Sequence, residues 1–106
     1  MSTVALCMTD DSMRPRVRQG WFAVCDEEEP ADVGDTVAVL FKTGRRGVLE
    51  LVVKDGLGVT LEALKSGKRF RYQWTEIEQL CGVVAIFAPD AGARAYPQSI
   101  PVGVPS

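Results

Sequence analysis

Apolar residues fall in short runs, each closed by a polar or glycine-containing break, which is the signature of strands joined by turns. Residues 4–8 form the first run, rich in Val, Leu and Cys, and Asp10-Asp11 ends it with a turn signal. Residues 21–25 are apolar, aromatic and β-branched, and so predict a second strand. Gly34-Asp35 feeds a third at 36–41, and the Lys42 to Gly47 loop, whose glycines can take positive φ, predicts a hairpin into a fourth at 48–54. Asp55-Gly56 with Gly58 turns the chain into 59–64, Ser66-Gly67 into 68–73, and the last strong strand is 80–88. Residues 36–64 thus predict a meander, and 68–73, where charge alternates with Phe70 and Tyr72, predicts a strand with one exposed face. Residues 13–19 read as a loop with one turn, and Thr75 is placed to cap a single turn through Glu78.

From Pro89 onward the composition shifts to Pro, Gly, Ala and Ser. Pro97, Pro101 and Pro105 forbid a helix running through them. The expected organisation is one domain at residues 1–88 and a tail at 89–106 that is extended or disordered, laid on a partner. A chain of 106 residues with 46% hydrophobic content suits one small mainly β domain with a real core.

Charge and chemistry narrow the function. The net charge of -2 gives this segment no electrostatic reason to bind nucleic acid. With no histidine, Ser-His-Asp and Cys-His catalysis are excluded within the chain, and any serine chemistry needs lysine as its base. The three cysteines, Cys7, Cys25 and Cys81, have no C-x-x-C spacing and lie in apolar runs, which predicts buried free thiols and no metal site. The acid run Asp26 to Glu29 and the Arg14, Arg16, Arg18 triplet read as solvated faces. No cofactor is expected. No apolar run approaches the ~20 residues of a membrane span and no signal-type core opens the chain, so a cytoplasmic location is expected.

The run Asp11-Ser12-Met13-Arg14-Pro15, then Gly20 before Trp21-Phe22-Ala23-Val24, then Gly34-Asp35-Thr36-Val37-Ala38-Val39, and finally Gly82-Val83-Val84, resembles the carboxy-terminal domain of LexA and phage repressors. This is the S24 peptidase family, related in fold to signal peptidases, and the resemblance covers about residues 3 to 88. It implies a compact, strongly bent, β-clip-like sheet domain with Ser12 at the nucleophile position. It also implies a Ser/Lys mechanism, in which a buried neutral lysine takes the serine proton and backbone N–H groups hold the oxyanion.

The sequence departs from that pattern at the base. The family lysine aligns with Leu49 or Glu50, neither of which can replace it. Lys54 lies four to five residues beyond, roughly 13 to 17 Å along a strand at ~3.3 Å per residue. Lys42 falls in the hairpin, Asp11 replaces the usual glycine before the serine, and residues 1–11 hold no Ala-Gly or Cys-Gly bond to cut. The resemblance then implies a catalytically silent dimerisation and regulatory domain of a phage-type transcriptional repressor, of prophage kind, working as a homodimer. DNA would be reached through a separate helix-turn-helix segment. The alternatives are an active self-cleaving Ser/Lys peptidase and a stand-alone small β binding module of a mobile element.

Overall fold

A computed structural model describes residues 3–103. In chain order the elements are β1 (Thr3–Met8), β2 (Phe22–Asp26), β3 (Thr36–Phe41), β4 (Arg46–Lys54), β5 (Gly58–Ala63), β6 (Lys68–Gln73) and a 3-10 turn (Trp74–Glu76). They continue with β7 (Ile77–Phe87), α1 (Pro89–Ala95) and β8 (Ile100–Val102). The protein is mainly β, a single curled sheet of eight strands in the order β6-β5-β4-β3-β7-β2-β1-β8. The predicted meander is present, since β3 through β6 pair with their chain neighbours antiparallel.

Strand β7 holds the two halves of the sheet together. It pairs with β3 from Ile77 to Gly82 and with β2 from Val83 to Phe87, on opposite edges. Side chains alternate accordingly between two main cores. Leu6, Met8, Met13, Val17, Cys25, Val48 and Cys81 fill one, and Val37, Leu49, Leu51, Val59, Leu61 and Ile77 fill the other. Fully burying a side chain of this kind contributes about 1.5–3 kcal/mol, so both faces of the central strands are committed to packing.

The structure differs from the sequence reading at two places. Residues 74–76 do form a turn, but the reciprocal partner is Gln73, whose N–H donates to Glu76 Oε2 at 2.8 Å; Thr75 does not cap it. The larger difference is the tail, where residues 89–95 are helical and only Ile100–Val102 is extended. Pro89 sits at the start of the helix, where a missing N–H costs nothing, and the helix ends before Pro97, so none runs through Pro97, Pro101 or Pro105. Gly92 lets α1 press on Phe22, because a Cβ at that position would come within 2.2 Å of the ring. The extended piece pairs parallel with the chain's own β1, Leu6 facing Ile100 and Met8 facing Val102, with Val102 buried. Pro101 is tolerated there because β8 is an edge strand. The end of the expected tail, residues 104–106, lies outside the described residues.

Candidate functional site around Ser12

The Ser12 turn follows β1 and is tied down at every side. Met8 N–H donates to Trp21 O and Gly20 N–H to Met8 O, closing the loop at its base at 2.9 and 2.8 Å. Thr9 donates through both N–H and Oγ1 to Val102 O, each at 2.8 Å, so β8 braces the turn. Asp10 and Asp11 work as turn carboxylates, accepting from Ser12 N–H at 3.0 Å and Gln19 N–H at 3.1 Å. Met13 and Val17 are fully buried and anchor the loop in the first core. From across the sheet Lys65 N–H donates to Ser12 O at 2.9 Å.

Within this turn the Ser12 hydroxyl is buried and, among the described residues, has no hydrogen-bond partner. Polar groups removed from water are almost always paired, so an unpartnered buried hydroxyl sets Ser12 apart from the other polar side chains of the fold. A general base must come within about 2.6–3.2 Å of the proton it takes. Among the described residues no side chain is hydrogen-bonded to Ser12 Oγ. Its N–H, among the donors nearest to any developing oxyanion, is already given to Asp10.

Leu49 and Glu50 are both engaged elsewhere in the fold. Leu49 faces Val37 across the β3–β4 ladder, is fully buried, and belongs to the second core, on the face of β4 opposite Val48 and Met13. Glu50 pairs with Thr36 in the same ladder and lies on the other face, where Arg16 bridges the two. Arg16 Nη1 donates to Thr36 Oγ1 at 3.0 Å and to Glu50 Oε1 at 3.3 Å. Such a half-exposed ion pair contributes ~0–1 kcal/mol, but it directs the carboxylate to a cation. Lys54 Nζ donates to Ala31 O at 3.0 Å. Lys65, whose backbone touches the serine turn, extends its ammonium toward Asp11 Oδ2 at 4.0 Å with the side chain 59% exposed.

The resemblance names Ser12 and one of Leu49 or Glu50 as site positions, and gives no sign of Arg16 or Lys65. Arg16 was read as part of a solvated triplet, and nothing in its local pattern points to Thr36 or Glu50. The contact of Lys65 with Ser12 follows from the curl of β5 over the serine loop, which local sequence does not express.

Beside this cluster runs a groove of about 600 Å³, lined by Arg16, Pro30, Thr36 and residues 82–86 of β7. Its floor is the edge of β7 that β3 leaves unpaired beyond Gly82. Val84 and Ile86 are exposed there. Among the described residues no group of three or more Cys, Asp or Glu is arranged to hold a metal ion, and no helix is long and apolar enough to cross a membrane.

A curled, almost all-β domain that presents one serine on a braced turn after its first strand is the architecture of a serine-peptidase-like scaffold. The family model for Peptidase S24-like domains matches residues 1–79, and the chain belongs to that family. The match takes in the Ser12 turn, β3 and β4, and stops before Gly82-Val83-Val84. No curated protein matches the chain.

Proposed function

We propose that this chain is a catalytically silent S24-type domain serving as the dimerisation and regulatory half of a cytoplasmic, phage-type repressor. The observation that carries the reading is the buried, unpartnered Ser12 hydroxyl. A Ser/Lys hydrolase needs a neutral amine against that oxygen, and here the family lysine position holds Leu49 or Glu50 while Lys54 and Lys65 are turned to Ala31 and Asp11. The shell of the site persists because the core needs it: Met13 and Val17 are as buried as any residue of the fold. Ser12 keeps the nucleophile position without the function.

Self-association is supported by the apolar open edge of β7, since an exposed unpaired strand edge invites pairing with another copy, and twofold symmetry closes such a contact. The proline-rich segment is not needed as an arm, because Ile100–Val102 already pairs with β1. Nucleic acid would be contacted by a separate helix-turn-helix segment, consistent with a net charge of -2 here. Multi-angle light scattering tests the assembly. A dimer is expected at tens of micromolar, and a monomer there overturns the dimerisation role.

A further inference from the structure

Cys25 and Cys81 meet where the sheet changes partners. Cys25 is the residue of β2 paired with Val83, and Cys81 is two positions back on β7, paired with Ala38 of β3. Diagonal neighbours on one sheet face ordinarily stand about 7–8 Å apart. Here the register breaks between Val24 and Cys25, which face Ala85 and Val83, so Val84 is the extra residue of a bulge beside the pair. Both thiols enter the same core, with Cys25 Sγ 3.5 Å from Val4 O and Cys81 Sγ 3.9 Å from Ala38 O.

The two thiols influence each other's ionisation. A hydrogen bond from Cys81 holds the Cys25 thiol below its usual range against the opposing effect of burial, and Arg46 adds to the lowering. The same bond, then burial and the Glu27 carboxylate, push Cys81 up. One sulfur is therefore the thiolate former and the other its donor, the asymmetry that an attacking and a resolving thiol require. A small cavity of about 10 Å³ opens on both, with Glu27, Arg46 and Gln79 also lining it. This is the space of about one water molecule, enough for a peroxide oxygen to approach sulfur and too little for glutathione.

We propose that Cys25 and Cys81 form a redox-active dithiol that hydrogen peroxide closes into a disulfide across the seam of the sheet. The Cys25 thiolate attacks one peroxide oxygen, the O–O bond breaks, and the departing hydroxide takes up the proton released when the thiol ionised, leaving Cys25 as a sulfenic acid. The Cys81 sulfur then attacks the Cys25 sulfur, the S–O bond breaks, and a second water leaves with the Cys81 proton. Two thiols are oxidised by two electrons and one peroxide is reduced to two waters. The bond ties β2 to the part of β7 that belongs with β3, and so fixes the curl between the halves. Cys7, half-buried in a separate cluster with Ala5 and Phe22, takes no part.

The test treats the full chain with hydrogen peroxide across a pH series, alkylates under denaturing conditions, and maps peptides by mass spectrometry. The expected result is a cross-linked peptide joining Cys25 to Cys81, two hydrogens lighter and restored by dithiothreitol. It should form faster as pH rises, and equally in Cys7→Ser, with a higher melting temperature under non-reducing conditions. Two results overturn the proposal: Cys25 and Cys81 both remaining alkylatable after Cys7 has been oxidised, or disulfides that run only through Cys7.

Discussion

Replacing Ser12 with alanine isolates the energetic cost of its buried hydroxyl. The Ser12 oxygen is buried and unpaired, and a buried hydroxyl without a partner costs about 1–3 kcal/mol relative to one in water. Alanine removes that cost and keeps the Cβ. It leaves intact the hydrogen bonds that hold the turn, because Asp10 and Lys65 engage the backbone of residue 12 and not its side chain. The loss is the packing of one oxygen atom, a few contacts of about 0.1–0.2 kcal/mol each. The net expectation is a gain of about 1 kcal/mol. With a urea dependence of about 1–3 kcal/mol/M for a small domain, the midpoint should rise by roughly 0.5 M. The melting temperature should rise by about 4–8 °C. Urea denaturation followed by tryptophan fluorescence measures this directly through Trp21 and Trp74. A midpoint lowered by a similar amount would refute the reasoning, since it would mean that the hydroxyl makes a native hydrogen bond that the turn depends on.

Two further substitutions probe the scaffold. Gly92→Ala should destabilise by about 1–3 kcal/mol through overpacking, because its Cβ would meet the Phe22 ring at 2.2 Å. Gly56→Ala, with nothing within 4 Å, should stay within about 0.5 kcal/mol; equal urea midpoints for the two would contradict the docking of α1. Asp55 provides the pH test. Arg71 Nη2 donates to both its oxygens, at 2.9 and 3.0 Å, and the Leu57 and Gly58 amides add to this, holding the carboxyl below its usual range. A carboxyl whose folded value is depressed contributes stability above its unfolded value of about 3.9, and that contribution is lost as pH falls through the folded value. Asp55→Asn should therefore be less stable than the parent at pH ~7 and should converge with it in acid. A gap between the two urea midpoints that is unchanged at low pH would exclude this role.

The strands were legible because their period is local: β6 was placed from Lys68 to Gln73 by its alternation alone. Boundaries slipped where packing adds residues that propensity does not favour. Strand β4 begins two residues early, at Arg46, because β3 continues to offer partners through Leu40. β7 starts at Ile77 for the same reason, paired with Phe41. The tail was misread because its composition resembles unfolded chain, whereas its order comes from three distant contacts: Gly92 against Phe22, Val102 in the first core, and Thr9 on the Val102 carbonyl. At the site, Ser12 stood out through its order relative to the later glycines. The resemblance sets the family lysine position at Leu49 or Glu50 without separating the two. Strand alternation separates them once Val48 is known to pack with Met13, since that places Glu50 on the Met13 face and Leu49 behind it. Arg16 and Lys65 were invisible because their partners lie 34 residues away in sequence at Glu50 and across the serine loop at Asp11.

The central claim is that Ser12 has lost its base. Intact-mass spectrometry after incubation with a serine-directed fluorophosphonate, at neutral and alkaline pH, tests it most directly. The expected result is an unmodified, uncut chain at both. An adduct on Ser12 that forms faster as pH rises and disappears in Ser12→Ala, or fragments of the chain on alkaline incubation, would contradict it.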